Sequence, residues 1–258
     1  CQLPDALPGV AAAAEVVSRH AAAGGEIVVF GDFDADGMMA ATIVEEAVCA
    51  IGGRASIFIP DRATEGYGFT LPALDRCLRE HPGSALIVTV DCGITQPEPC
   101  RAAVARGIDV VVTDHHALTC APPETAAVVV HTGHPDTPEA LRPLCGAGVA
   151  FKIAHQLARL HLDAEARRAL VQRLLPLAAI ATVADLVPLA GENRVVVSKG
   201  LEMLGTDGCS GHVGLHALKM ASGLYGAVTA RQIAFGIAPR INAAGRVGDP
   251  RNVLALLR

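Results

Sequence analysis

The sequence predicts an α/β fold with a parallel sheet flanked by helices, followed by a mostly helical region. Over the first half of the chain, short apolar runs rich in β-branched residues alternate with longer segments of helical periodicity, and glycines separate them. This alternation is typical of parallel sheets with right-handed crossovers. It stops near residue 130, and helical patterns dominate from there on. We therefore expect an α/β domain at 1–135 and a mostly helical remainder at 136–258 that completes the same site.

The individual elements can be assigned in chain order. An amphipathic segment at 11–23 predicts a first helix, which Gly24-Gly25 ends. The apolar run at 27–30 predicts the first strand. The same reasoning predicts later strands at 55–60, 86–90, 109–113 and 127–130, and helices at 38–50, 71–80, 98–106, from 146, at 167–182, from 192 and at 208–223.

The composition is that of a soluble globular protein. Of the 258 residues, 51% are apolar and none is Trp, which suits Ala-rich helices packed on Val-rich strands. No apolar run approaches the length of a membrane span, and the N-terminus lacks the basic start of a signal peptide. The eight cysteines include no C-x-x-C pair. We therefore expect reduced thiols and a cytoplasmic protein that has no membrane contact.

The formal net charge of −5 gives no basic surplus of the kind that marks many nucleic-acid-binding domains. This charge does not exclude a nucleic-acid ligand, because carboxylates that bind metal still count as negative and a local arginine cluster can bind phosphate. The chain begins with Cys1, and a helical pattern runs to Arg258 without a capping signal. We expect further protein sequence on both sides.

The segment GDFDADG follows the first predicted strand and carries Asp32, Asp34 and Asp36. Alternate residues that leave a strand point the same way, so the three carboxylates are expected to crowd one small volume. Like charges at this spacing repel one another. A divalent cation with oxygen and imidazole ligands is the simplest counter-charge.

Two further predicted strands end in similar segments. Asp91-Cys92-Gly93 follows the strand at 86–90, and Asp114-His115-His116 follows the strand at 109–113. The carboxyl ends of parallel strands lie on one edge of the sheet, where ligands bind in open α/β folds. Three acidic ends at one edge predict a metal or catalytic site.

The second half of the chain offers fewer candidates. Asp185 ends a long apolar helical run, where the helix dipole disfavours an acid unless a cation lies nearby. A segment punctuated by Pro and Gly, which we interpret as a loop, carries Arg240, Asn242 and Arg246. Arginine forks match phosphate oxygens, although an arginine cluster that pairs with surface acids explains the pattern equally well. The G-x-G at 146–148 is more typical of close helix packing than of a nucleotide loop.

The motifs GDFDADG, VDCG, TDHH and VADLVPL, in this order, resemble those of the DHH phosphoesterase superfamily. Within it, DRATEGYGF, GAGVAF, ATVADLVPLAGENR and APRINAAGR resemble the RecJ family of single-strand-specific exonucleases. The similarity runs from about Ile27 to the C-terminus. It implies a DHH domain and a two-metal hydrolase, usually dependent on Mn²⁺ with Mg²⁺ as an alternative. Such enzymes remove nucleotides from the 5′ end of single-stranded DNA in recombination and repair, and a single-stranded-DNA-binding protein is an expected partner.

The resemblance also assigns roles to individual residues. Asp91 would bridge two ions, His116 would face the scissile phosphate, and Asp36 and Asp114 would orient the loop. From an extended strand end His115 and His116 cannot both point at one ion, which agrees with one ligand and one phosphate-facing group. The complete set of implied metal ligands is Asp32, Asp34, Asp91, His115 and Asp185. The candidates for holding substrate phosphates are Arg62, Arg240, Asn242 and Arg246.

The sequence departs from the family pattern in three places. Phe30 stands where many relatives have a histidine, so one metal is expected to have fewer protein ligands. His131 and His134 stand in a segment where relatives have an Asn-Pro pair; they could reach the crevice, but histidines in a polar loop are usually surface residues. Motifs of the DHH-associated and oligonucleotide-binding domains are absent. This chain is therefore expected to hold the metals yet to degrade DNA poorly.

Three other interpretations remain open from the sequence. A DHH relative that acts on short RNA, cyclic dinucleotides or pyrophosphate would share the metal ligands, although the segments GENR and PRINAAGR favour RecJ. A non-catalytic DHH scaffold would be expected to lack the acids and histidines that this chain has. A phosphotransfer fold with an aspartyl nucleophile would explain D-x-D after the first strand but not Asp114-His115-His116.

Overall fold

A computed structural model of the protein describes residues 2–205, 211–247 and 249–257. One five-stranded parallel sheet has the order β2-β1-β3-β4-β5. The strands are β1 Glu26–Gly31, β2 Arg54–Phe58, β3 Ser84–Val90, β4 Asp109–Asp114 and β5 Val128–His131. The helices are α1 Val10–Ala22, α2 Ala35–Ala50, α3 Arg62–Glu65, α4 Leu71–Glu80, α5 Pro97–Val104, α6 Gly146–His161, α7 Ala164–Ala184, α8 Gly191–Gly205, α9 Val213–Ala221, α10 Ala230–Gln232, α11 Ala238–Val247 and α12 Pro250–Leu257. Short 3-10 turns lie at Pro4–Ala6 and Glu139–Leu141, and a π-helical turn lies at Ile233–Ile237.

Helices cover both faces of the sheet. Successive side chains of β1 point alternately to the two faces and pack against different helices. Ile27 and Val29 belong to the larger buried cluster, which includes residues of α1, α2, α6 and α7. Val28 and Phe30 belong to the other, which includes residues of α4 and α5. A strand buried on both faces needs a continuous apolar sequence, which is what the run at 27–30 provides. The predicted fold class is confirmed.

The helical second half does not form a separate core. The larger cluster runs from Leu7 to Leu257, and α6 and α7 both pack against α2. Helix α7 ends at Ala184 beside the carboxyl edge of the sheet, so its next residue, Asp185, can reach the site. The two halves predicted from the sequence therefore share one buried interior.

The acidic segment enters a helix earlier than predicted. Strand β1 ends at Gly31, and α2 starts at Ala35 rather than at residue 38. The cause is the N-cap, because Asp34 Oδ1 accepts a hydrogen bond from the Gly37 amide at 3.0 Å. The three carboxylates lie close together as predicted, but strand alternation is not the reason, since Asp36 lies in the first helical turn.

The segment around Arg240 is a helix and not the loop that its Pro and Gly predicted. Residues 230–247 are helical without a break, and Pro239 lies directly after the π-helical turn at Ile233–Ile237, where the α-helical ladder of hydrogen bonds is already interrupted. Gly245 is needed for packing, because a Cβ there would lie 2.1 Å from the carbonyl oxygen of Phe33. Helix α11 therefore lies directly against the chain that carries Asp32.

Other sequence predictions can be compared with the described residues. None of the helices described is both long and apolar enough to cross a membrane. The six cysteines within these residues form no disulfide with one another, whereas Cys1 and Cys209 lie outside them. The helix predicted at 208–223 falls partly outside as well, and its described part contains α9.

Candidate metal centre

The ends of three adjacent strands bring the predicted acids together. Asp32 follows β1, Asp91 follows β3, and Asp114 is the last residue of β4. These strands are neighbours in the sheet order, so the three side chains share one edge. Their exposures are 1%, 2% and 1%, respectively. Burial of three carboxylates at one edge requires strong compensating interactions.

The described residues contain three groups of side chains whose ligand atoms lie within 4.8 Å of one another. Asp91 belongs to two of the groups and His115 to two, so the groups form one continuous cluster. His115 Nε2 lies 3.0 Å from Asp91 Oδ1 and 3.7 Å from Asp185 Oδ2. The three groups are Asp32 with Asp34 and Asp91, Asp91 with His115 and His116, and Asp36 with His115 and Asp185. All five residues predicted as metal ligands are thus in the cluster.

The cluster has the unpaired atoms that a cation needs. Five buried side-chain atoms of the described residues make no hydrogen bond, and three of them are Asp32 Oδ1, Asp91 Oδ1 and His115 Nε2. The last two lie 3.0 Å apart but without hydrogen-bond geometry. Buried polar atoms are nearly always paired in native proteins. Carboxylate oxygens and imidazole nitrogen are also suitable donors for Mn²⁺. The residues therefore fit a divalent metal.

Asp36 lies inside the cluster, but its carboxylate is bound to helix α6. The backbone amides of Gly146 and Ala147 donate to its two oxygens at 2.7 and 2.8 Å. This pairing places a carboxylate at the positive end of the α6 dipole. Gly146 also permits the contact with the cluster, because a Cβ there would lie 2.6 Å from Asp91 Oδ1. Close packing of the helix, and not a nucleotide loop, explains this glycine.

Asp114 organises the two histidines that follow it. Its Oδ1 accepts hydrogen bonds from the amides of His115 and His116, and from His116 Nδ1 at 2.7 Å. Its Oδ2 accepts one from the amide of Ile94. Burial tends to raise the pKa of Asp114, but the hydrogen bonds from His116 outweigh burial and leave that pKa lowered. The same hydrogen bond raises the pKa of His116 to about 9, so its imidazole is protonated at neutral pH.

Three other carboxylates of the cluster, those of Asp32, Asp91 and Asp185, have raised pKa values and hold protons more tightly than usual. Burial, with Asp34 next in effect, raises the pKa of Asp32 to about 7. Burial and the charge of Asp36 raise the pKa of Asp185 to about 7 and that of Asp91 well above its usual range. Burial lowers the pKa of His115, which leaves a neutral imidazole suited to ligation. Bound cations would replace these protons.

Two residues of the site have strained backbone conformations. Asp91 has φ of 60° and Leu186, directly after Asp185, has φ of 59°. Left-handed conformations of residues other than glycine cost free energy and cluster at functional sites. In both places the turn directs a carboxylate into the cluster at the end of a strand or helix.

The four predicted phosphate ligands have different surroundings. The guanidinium of Arg62 lies 4.7 Å above the ring of Phe33. Arg62 and Arg246 line one cleft of about 460 Å³ between β2 and α12. Arg240 donates to the carbonyl of Gly236. Asn242 Oδ1 accepts from the amide of Ala35 at 2.7 Å, so this oxygen caps α2.

Tyr67 was not singled out from the sequence although it lies beside the site. Its hydroxyl is 3.3 Å from His116 Nε2, its ring meets Phe33 edge-on, and it is 48% exposed. Burial and nearby carboxylates raise the pKa of Tyr67, so the hydroxyl keeps its proton. The position of this tyrosine between two glycines in DRATEGYGF could have identified it as a candidate site residue, because exposed aromatic residues in loops are often functional.

Two departures from the family pattern have clear outcomes. Phe30 is fully buried, with its ring 5.1 Å from Phe58 and 5.0 Å from Phe69, so position 30 supplies packing and no ligand. The expectation that His131 is a surface residue is wrong, since it is 6% exposed and both ring nitrogens are hydrogen bonded. His134 has a half-exposed side chain and accepts from the amide of Asp136.

Known proteins with similar sequences include single-stranded-DNA-specific exonucleases. The RecJ single-stranded-DNA-specific exonuclease of Bacillus subtilis is 36% identical over 250 residues, which make up 96% of this chain and 30% of that protein. Its counterpart in Thermus thermophilus is 39% identical over 252 residues, 97% of this chain and 35% of the relative. The chain thus spans about a third of the length of these relatives.

A solved structure and a family match extend the comparison. A crystal structure of exonuclease RecJ bound to manganese superposes with a TM-score of 0.84 at 39% identity, over 97% of this chain and 61% of the other. The N-terminal domain of the DHH family matches residues 26–182. Because this match covers more than half of the chain and every strand of the sheet, the chain belongs to the DHH family.

Proposed function

We propose that the chain is the metal-binding core of a hydrolase that cleaves phosphodiester bonds, removing nucleotides from the 5′ end of single-stranded DNA in recombination and repair. The observation that carries the proposal is the cluster at the sheet edge, in which buried ligand atoms of Asp32, Asp91 and His115 have no hydrogen-bond partner. The similarity to RecJ exonucleases supports this choice of substrate.

The proposed cofactor is a pair of Mn²⁺ ions, with Mg²⁺ as the alternative because it also takes hard oxygen ligands. A manganese-bound structure of RecJ supports this choice. Divalent cations held there would activate a water molecule and neutralise negative charge on the phosphate. The residues that would hold the ions are Asp32, Asp34, Asp91, His115 and Asp185, and Asp91 belongs to two of the three groups of ligand atoms.

We assign His116 to the scissile phosphate. Its protonated imidazole can donate from Nε2, because Nδ1 is already bound to Asp114. A protonated imidazole fixed in this way stabilises negative charge on a phosphate oxygen or on the departing 3′ oxygen. Asp36 and Asp114 act indirectly, by holding α6 and the histidine segment in place.

Substrate contacts outside the cluster are proposed for the arginines and for Tyr67. Arg62 and Arg246 face the same cleft, where guanidinium groups can bind backbone phosphates. Arg240 and the amide nitrogen of Asn242 are further candidates on α11. The exposed ring of Tyr67 offers a surface on which a base can stack, as aromatic side chains do in many proteins that bind single strands.

The proposal extends to the organisation and surroundings of the protein. The α/β domain at 1–135 and the helical remainder at 136–258 act as one catalytic core, because Asp185 and helix α6 complete the cluster that the strand ends begin. A single-stranded-DNA-binding protein is the proposed partner, as the resemblance of the sequence motifs to the RecJ family implies. The cytoplasm is the proposed location, because the cysteine pattern favours reduced thiols.

The test compares the chain with Asp91→Asn. Asparagine keeps the shape of the side chain and tolerates the left-handed backbone of position 91, so the variant should fold. Release of nucleotides from 5′-phosphorylated single-stranded DNA and cleavage of bis(p-nitrophenyl) phosphate would be measured with Mn²⁺. Asp136→Asn is the matched control, since Asp136 has an exposed side chain away from the cluster.

We expect Mn²⁺-dependent cleavage that falls at least about 100-fold in Asp91→Asn, because loss of a ligand should cost more than loss of an outer partner of one. The control should be unchanged. Because this chain is expected to degrade DNA poorly, DNA is assayed up to enzyme in excess of substrate. Cleavage of short RNA or cyclic dinucleotides with no action on DNA even then would refute the exonuclease assignment and keep the phosphodiesterase. Absence of Mn²⁺ binding in calorimetry would refute both.

A further inference from the structure

His131 is a buried polar residue beside the site that the proposed reaction does not use. It is the last residue of β5 and lies opposite Asp114 of β4 in the parallel register. The side chain is turned toward the histidine segment, where its Nε2 lies 2.7 Å from the carbonyl oxygen of His116. On the other side, the amide of Gly133 donates to its Nδ1 at 2.9 Å.

These two contacts define the tautomer of the ring. A carbonyl oxygen can only accept, so Nε2 of His131 must carry the hydrogen, and an amide can only donate, so Nδ1 must be bare. A neutral imidazole satisfies both contacts at once. Gly133 allows the fit, because a Cβ there would lie 2.9 Å from His131 Nδ1. The ring is therefore held in one orientation.

Asp114 and His131 hold different parts of the His116 backbone and side chain. Asp114 binds the amide and the ring Nδ1 of His116, but not its carbonyl. After His116 the chain leaves the sheet into an exposed stretch at 117–122. His131 is thus the side chain that fixes the peptide between His116 and the exposed stretch.

We propose that His131 is a positioning residue that holds the backbone of His116 in the orientation required for hydrolysis. The inference rests on the proposed function, because it assigns His131 to the same site. It predicts an effect on turnover and not on substrate binding, since the described hydrogen bonds of the His131 ring reach the backbone of His116 and the amide of Gly133. Neither bond involves the side chains proposed to hold the substrate backbone, which are those of Arg62, Arg240, Asn242 and Arg246. Loss of a group that orients a reacting side chain commonly lowers activity about 10- to 100-fold.

Two substitutions separate the hydrogen bond from packing. His131→Phe keeps a ring in the buried space but removes the donor. His131→Gln places an amide nitrogen near the position of Nε2 and can donate to the same carbonyl. His134→Gln is the control, because His134 lies in the same segment and the described contacts of its side chain run to Asp136, while the substitution leaves its backbone hydrogen bond to the His131 carbonyl in place.

For His131→Phe we expect kcat to fall about 10- to 100-fold, with KM and Mn²⁺ affinity within about threefold of the unsubstituted chain. His131→Gln should recover most of the loss, and His134→Gln should have no effect. Normal turnover in His131→Phe would overturn the proposal. Equal losses in His131→Phe and His131→Gln would also overturn it, because packing alone would then explain them.

Nitrogen NMR of histidine-labelled protein provides a readout that is independent of activity. We expect the His131 resonances of a neutral ring with hydrogen on Nε2, and a shift of the Ala117 amide in His131→Phe but not in His131→Gln. A His131 ring with its hydrogen on Nδ1 could not donate from Nε2 to the His116 carbonyl, and this result would overturn the proposal. If the unsubstituted chain cleaves neither DNA nor the small diester while these NMR signals are as expected, the proposed function fails and the contact stands.

Discussion

His116 is the residue whose chemistry depends most on a single neighbour. The Asp114 carboxylate accepts from its Nδ1 at 2.7 Å and is itself almost fully buried. This hydrogen bond raises the pKa of His116 to about 9. Since the folded-state pKa lies above the unfolded value, the pair contributes stability that is fully present below about pH 6.5 and is lost as the pH rises through about 9.

Activity should follow the same proton. If protonated His116 stabilises the leaving oxygen, kcat should fall above about pH 9 as one proton is lost. His116→Gln should lower kcat across the whole range and remove this descending limb. The measurement is a profile of kcat against pH with saturating Mn²⁺. A descending limb that persists in His116→Gln would assign it to another group.

The positions of some site residues were predictable from the sequence, because they follow from the rule that parallel strands end at one edge of the sheet. Asp32, Asp91 and Asp114 lie together because parallel strands end at one edge, and that rule needs only the strand assignments. His131 and Tyr67 could not be placed in this way. Their roles depend on contacts with His116 across 15 and 49 positions of sequence, and periodicity carries no information on such contacts.

At the scale of elements, helix α6 depends on a glycine at its first position. Gly146 lies so close to Asp91 that an added Cβ would meet its carboxylate at 2.6 Å. Gly146→Ala should displace the helix or the ligand and lower Mn²⁺ affinity at least about tenfold. Calorimetric titration would measure this. Gly236→Ala is the control, because its nearest neighbour atom would be 3.6 Å away, and unchanged affinity in both variants would contradict the prediction.

Helix α11 allows a test of Asn242, whose predicted role was phosphate binding. Its Oδ1 caps the start of α2 through the Ala35 amide. Asn242→Ala removes this acceptor and should lower the free energy of unfolding by about 1 kcal/mol, as loss of a helix cap does. Asn242→Asp keeps the acceptor and should retain stability, measured by urea denaturation.

The same pair of variants tests the phosphate role directly. Asn242→Asp adds a negative charge beside the proposed path of the substrate, so it should weaken DNA binding if Asn242 contacts phosphate. Fluorescence anisotropy at low salt measures that affinity. Unchanged DNA affinity in Asn242→Asp, together with lower stability in Asn242→Ala, would leave Asn242 with the structural role alone.

At the scale of the whole molecule, the sequence predicted the sheet better than the helices that complete the site. All five strands lie within a few residues of their predicted positions, because runs such as 27–30 are apolar on both faces. Helix α11 was predicted as a loop because Pro239 and Gly245 usually interrupt helices. Tertiary packing decides these cases, since Gly245 is required by the close approach of Phe33.

The buried acids also make the stability of the whole chain depend on metal and pH. Asp32 and Asp185 have pKa values of about 7 in the folded protein, against 3.8 for an ordinary aspartate. Between these values the folded state holds protons that the unfolded chain has released. The free energy of unfolding of the metal-free chain should therefore fall as the pH rises from about 4 to about 7, which is the opposite of the usual carboxylate effect.

Bound Mn²⁺ should reverse this dependence, because a cation takes the place of the protons and binds only the folded cluster. Thermal melts with EDTA or with excess Mn²⁺, at about pH 5.5 and about pH 8, would measure the effect. We expect the increase in Tm from Mn²⁺ to be larger at the higher pH, and Asp91→Asn to remove most of it. An equal increase at both pH values would mean that the metal does not displace protons from Asp32 and Asp185.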